Sequence, residues 1–221
     1  MLDSIEITTG DSPPQLSVLW LHGLGADGHD FEPIVPELGL RIPVRFVFPH
    51  APVRRVTING GMAMRAWYDI LGFDRRAKED DAGIRASAAA VTELIDREIE
   101  RGMPSDRIVL AGFSQGGAIA LQTALREPRP LAGILALSTY LPLASTLASE
   151  RSAANAGIPI FLAHGTADTV LPLELADNAR RALGALGYAV DWHAYAMPHS
   201  VCIEEISAIG AWLAALPPSR A

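Results

Sequence analysis

Short apolar runs alternate with longer amphipathic segments from one end of the chain to the other, the pattern of helices packed on a mostly parallel sheet. The runs predict strands over residues 16–21, 44–48, 108–113, 131–137, 158–163 and 189–195. The amphipathic segments predict helices over 30–37, 80–101, 115–127, 174–186 and 203–216. The long helix is the clearest: Ala88, Val91, Ile95 and Ile99 recur at spacings of three and four, so they line one face and read as core. Residues 51–73 follow neither period and mix proline, glycine, methionine and tryptophan. Long irregular stretches in compact domains are commonly binding loops or lids.

Composition narrows the class. A chain of 221 residues without a linker-like stretch is expected to form one domain over 1–221. The apolar fraction of 49% and charged fraction of 19% are enough for a sizeable core and argue against disorder. Acidic residues outnumber basic ones, 25 to 18, and no Lys/Arg stripe forms, so nucleic acid is not an expected partner. Cys202 is the single cysteine, which excludes an internal disulfide. The first six residues are acidic where a secretory signal would be basic, and no apolar run is long enough to span a bilayer. A soluble cytoplasmic protein with no stable membrane insertion is the expectation.

The candidate chemistry sits at Gly112-Phe113-Ser114-Gln115-Gly116, between the apolar run 108–111 and the helix-like segment 118–125. A Gly-x-Ser-x-Gly string is weak evidence alone, but a strand before it and a helix after it make it a nucleophile elbow. The turn is so sharp that residues two before and two after the serine must lack a Cβ, which Gly112 and Gly116 satisfy. A serine hydroxyl is a poor nucleophile at neutral pH and needs a base, and the base needs an orienting acid. On folds carrying this elbow they follow in the order serine, acid, histidine, at the ends of later strands. Asp168 and His199 stand in those places.

The rival residues fit less well. His164 is expected to make a local hydrogen bond, His193 to lie on a strand face, and His22 to brace a loop; His29 and His50 fall outside the order. Asp191 lies within a strand, Asp177 lies on a helix face, and Glu204 and Glu205 on the last helix are expected to be solvated. The oxyanion donors expected are the N–H of Gln115, after the nucleophile, and that of Leu24, between Gly23 and Gly25.

These blocks resemble the small carboxylesterase and acyl-protein thioesterase family, also called the phospholipase/carboxylesterase family, of the α/β-hydrolase fold. The resemblance runs through Leu21-His22-Gly23-Leu24-Gly25, Pro49-His50-Ala51-Pro52, Trp67-Tyr68-Asp69, the serine elbow with Gly117, His164-Gly165-Thr166-Ala167-Asp168, and His199-Ser200 before Glu204-Glu205. It implies an α/β fold with a mostly parallel central sheet and helices on both faces. It also implies Ser114, Asp168 and His199 as triad, Leu24 and Gln115 as oxyanion donors, and no metal or organic cofactor. The implied substrates are small-molecule acyl esters or thioesters, including lysophospholipids and S-acylated proteins for some members. Members are often homodimers, and an exposed apolar mouth would favour such pairing.

Leu24, Met64, Trp67, Leu71, Phe73 and Leu171 are candidates to wall an acyl groove, with core packing as the competing role for most of them. Two residues depart from the family pattern. Pro198 replaces the usual glycine before the histidine, and Arg65 replaces the proline that often follows the methionine, bringing a charge toward the acyl channel. The expected function is a serine carboxylesterase for short to medium acyl esters. The alternatives are deacylation of lipidated proteins or lysophospholipids by the same residues, and a non-catalytic binding protein on the same fold.

Overall fold

The computed structural model describes residues 2–72 and 78–217. In chain order the elements are β1 (Ser4–Thr8), β2 (Leu16–Leu21), β3 (Val44–Pro49), β4 (Val53–Val56), β5 (Met62–Arg65) and α1 (Asp81–Glu100). They continue with β6 (Ile108–Phe113), α2 (Gln115–Ala124), β7 (Gly133–Leu137), α3 (Ala144–Glu150), β8 (Ile160–Gly165), α4 (Leu173–Ala185), β9 (Val190–Tyr195) and α5 (Ile203–Ala215). Among the described residues seven strands make one sheet in the order β1-β3-β2-β6-β7-β8-β9. Only the β1–β3 pair at its edge is antiparallel.

The sheet is covered on both faces, and β2 shows how the sequence achieves this. Its side chains alternate: Leu19 and Leu21 enter one core with Ile95 of α1 and Ile119 of α2. Leu16, Val18 and Trp20 enter the opposite core with Ile209 and Leu213 of α5. Every residue of β2 is buried, as a central parallel strand requires. The ends of α1 are set by Asp80, whose side chain accepts the Gly83 N–H, and by Arg101, just past the last turn.

Four departures from the sequence reading have local causes. Residues 30–37 do not form an α-helix: Pro33 and Pro36 break the segment into two 3₁₀ turns, Glu32–Ile34 and Pro36–Leu38. Part of the segment read as irregular pairs as the β4–β5 hairpin, with Val53 opposite Arg65 and Val56 opposite Met62. The edge strand β1 and the seven-residue α3 were not expected, being short and, for β1, only half-buried. Glu205 is fully buried rather than solvated.

Candidate active site

Five neighbouring parallel strands end at one rim, and each delivers one part of the site there. At the end of β6 the chain reverses at Ser114, whose φ of 55° and ψ of −121° lie in a region costly for any residue with a side chain. The turn is held from the neighbouring strand: Ser114 N–H donates to Leu137 C=O at 2.8 Å, and the Thr139 hydroxyl donates to Ser114 C=O at 2.7 Å. The two flanking glycines are required by packing. A Cβ on Gly112 would overlap the Gly116 backbone, and one on Gly116 would overlap the carbonyls of Leu21 and His22.

His199, on the loop after β9, turns its Nε2 toward Ser114 Oγ at 3.0 Å and its Nδ1 toward Asp168 Oδ2 at 2.6 Å. Asp168, on the loop after β8, is held by two backbone donors, Val170 N–H at 2.9 Å and Leu171 N–H at 2.8 Å, both on Oδ1. With Oδ2 accepting from Nδ1–H, the Nε2 lone pair is left for the serine proton. The imidazole is also braced by the Phe113 ring, whose centroid lies 4.7 Å from its own. Gly165 gives the loop clearance, since a Cβ there would overlap the carbonyls of Met197 and Pro198.

Of the rival histidines, His22 and His193 are occupied elsewhere and His164 stands beside the acid. His22 accepts the Ala51 N–H on Nε2 at 3.0 Å, so Nδ1 donates to Gly23 C=O at 2.7 Å. Burial holds this ring below the ordinary histidine range, and its role is to brace the loop that carries Leu24. His164 is buried at the end of β8, donates from Nε2 to Leu171 C=O at 2.8 Å, and lies 3.4 Å from Asp168 Oδ2. His193 stacks on Phe161 at a centroid distance of 4.4 Å.

The N–H groups of Gln115 and Leu24 have no protein acceptor among the described residues, and both residues line the same cavity as Ser114 and His199. The cavity measures about 280 Å³ and is mostly apolar, with Ile70, Phe113, Tyr140, Val170 and Leu171 in its walls. Its chemistry is therefore a hydroxyl beside an imidazole, two free amide donors and an apolar enclosure. That arrangement suits attack on an acyl carbonyl.

Residues 2–216 match the model of the phospholipase/carboxylesterase family. The chain belongs to that family. It is 43% identical over 204 residues to acyl-protein thioesterase 1 of Neurospora crassa, covering 87% of this chain and 83% of that one. To acyl-protein thioesterase 1 of Mycosarcoma maydis it is 39% identical over 224 aligned positions, covering 94% and 93%. Its fold matches the crystal structure of Zea mays acyl-protein thioesterase 2 with a TM-score of 0.85 at 30% identity, over 97% of this chain and 99% of that one. Membership makes this chain an α/β-hydrolase-fold enzyme that hydrolyses esters or thioesters.

The family's expected acyl wall is only partly where the sequence suggested. Leu24 and Leu171 line the cavity at Ser114, and Leu71 lines a neighbouring one. Trp67 is wholly buried and lines neither: its indole N–H donates to His22 C=O at 2.9 Å. Met64 also lines neither and receives the Asn59 side-chain amide on its sulfur at 3.1 Å. Phe73 lies outside the described residues. Arg65 is turned away, donating to Ala51 C=O at 2.9 Å, so its charge is absent from the cavity walls. Pro198 leaves His199 within reach of both Ser114 and Asp168.

Side-chain roles missed in the sequence also shape the site. The Gln115 side chain accepts the Trp67 N–H at 2.7 Å and donates to Tyr68 C=O at 2.8 Å, fixing residues 67–68 against the elbow. Tyr68 and Tyr140 both stand in the cavity wall. A signal for Tyr140 was present: it follows β7, the strand beside the nucleophile strand, by three residues.

Proposed function

We propose that this enzyme is a serine thioesterase of the acyl-protein thioesterase kind, with Ser114 as nucleophile, His199 as base and Asp168 as the acid that orients the ring. The observation that carries the reading is the hydrogen-bonded row from Ser114 Oγ through His199 to buried Asp168, opening onto two unpaired N–H groups. His199 Nε2 takes the hydroxyl proton as Ser114 Oγ bonds to the acyl carbon. The carbonyl oxygen becomes an oxyanion received by the Gln115 and Leu24 N–H groups. Collapse breaks the bond to the leaving thiol, which departs with the proton from His199, and leaves an ester on Ser114. Water, deprotonated by His199, then attacks the ester; the acid is released and the serine restored.

The thioester is preferred because the relatives described above are acyl-protein thioesterases. A second reading, hydrolysis of short to medium carboxylic esters, is favoured by the enclosed volume of about 280 Å³, just under the roughly 300–1,000 Å³ of typical small-molecule sites. The two separate on paired substrates, an S-octanoyl cysteine peptide and the matching O-octanoyl serine peptide. The thioesterase reading predicts the higher kcat/KM for the S-acyl peptide. Faster turnover of the O-acyl peptide would favour the ester reading, and turnover of neither would overturn both.

A further inference from the structure

The Ser114 cavity does not stand alone. A second cavity of about 190 Å³ lies beside it, and the two share Tyr68, Ile70, Tyr140 and Leu171 as lining residues. Across that shared wall the Tyr68 and Tyr140 hydroxyls are hydrogen-bonded to each other at 2.7 Å. Beyond the wall the second cavity is again mostly apolar, with Leu71 and Leu175 among its lining. Its lining also includes Lys78 and three carboxylates, each of which is engaged: Glu79 accepts the Leu143 N–H at 3.1 Å, Asp69 the Thr57 N–H at 2.7 Å and Asp80 the Asp69 N–H at 2.9 Å.

The pair suits a fixed barrier. Tyr68 is buried, and its backbone is tied down on both sides: its carbonyl receives the Gln115 amide, while the Asp69 N–H donates to Asp80 at the start of α1. Tyr140 comes from the opposite side, on the loop after β7. One hydroxyl donates and the other accepts, which ties the two rings together across the wall. Burial also pushes both phenols up, Tyr140 to about 12, which keeps the bridge neutral across physiological pH.

We propose that the Tyr68–Tyr140 hydroxyl bridge is a specificity stop: it ends the acyl site at the Ser114 cavity and shuts the acyl chain out of the second cavity. This rests on the serine-hydrolase reading above. Chain-length preference is then set by one pair of side chains. Removing the Tyr140 ring joins the two spaces and gives longer acyl chains apolar surface to occupy, at about fourfold in kcat/KM per added methylene buried.

The test is a series of p-nitrophenyl esters from butanoate to hexadecanoate on wild type, Tyr140→Ala and Tyr140→Leu, with circular dichroism confirming the fold. The second variant keeps an apolar side chain of intermediate size in case alanine does not fold. The ratio of kcat/KM for dodecanoate over butanoate is expected to rise at least about tenfold in the folded variants, the equivalent of two further methylenes, mainly through a lower KM. An unchanged ratio in a folded variant that still hydrolyses butanoate would overturn the stop and leave the serine-hydrolase reading intact. If wild type turns over no ester in the series, the same chain-length ratio is read on S-acyl cysteine peptides; turnover of neither series overturns the hydrolase reading, and the stop with it.

Discussion

Two buried carboxylates at opposite ends of the sheet show how this fold separates structure from chemistry. Glu98, on α1, lies near the amino ends of the parallel strands and is held by the Ser17 hydroxyl at 2.8 Å, Arg45 at 2.8 Å and Arg101 at 2.9 Å. Asp168 lies at the carboxyl ends and, among the described residues, has no arginine or lysine partner; it is held by two backbone amides and the His199 ring, with His164 Nε2 at 3.4 Å. A carboxylate neutralised by fixed cations has its field spent on holding elements together. On the proposed reading, one cradled by neutral amides keeps its charge available to an imidazolium that exists only during turnover. Glu205 is a third case: it is buried at the start of α5, with no cation and no side-chain partner among the described residues. Burial pushes its carboxyl up to about 8, so it remains protonated at neutral pH.

The largest effect should come from Asp168→Asn. An amide in place of the carboxylate stabilises the wrong ring tautomer, and kcat is expected to fall roughly 10⁴-fold with little change in melting temperature, as measured by steady-state kinetics and calorimetry. Glu98→Gln should do the reverse. Leaving Arg45 without its buried partner is expected to cost about 3–5 kcal/mol, at the lower end because Arg101 is partly exposed, with kcat of the folded fraction retained in denaturant titrations. A catalytic collapse in the Glu98 variant, or a purely thermal effect in the Asp168 variant, would erase the distinction between the two ends.

The smallest effect concerns Glu205. Its folded-state pKa of about 8 lies above the ordinary 4.5, so the folded state holds the proton more tightly. That contribution is fully present below about pH 4.5 and is lost as the pH rises toward 8. Glu205→Gln should therefore gain on wild type in melting temperature with rising pH, by roughly ten degrees between pH 5 and 8. A difference independent of pH would show the carboxyl to be ionised throughout.

The site was legible where chemistry follows chain order. The glycines around Ser114 announce a turn that the structure builds between β6 and α2, and Asp168 and His199 follow the ends of β8 and β9 as parallel topology demands. The long helix was legible because its apolar stripe, from Ala88 to Ile99, repeats over about three turns. What the sequence hid was decided by tertiary contact. The Tyr68–Tyr140 bridge joins residues 72 positions apart, and nothing local to either predicts it. Trp67 carries the signature of an acyl wall and of a core equally well, and only packing against His22 and Gln115 decides for the core. The segment 30–37 had the right polarity for a helix, but its two prolines should have carried more weight than its pattern.

The central claim, that Ser114 is the activated nucleophile, is tested most directly by a fluorophosphonate probe read by intact mass and peptide mapping. Wild type should take one adduct, on Ser114, and Ser114→Ala should take none. An adduct that persists on the alanine variant, or a wild type that takes none, would contradict the account.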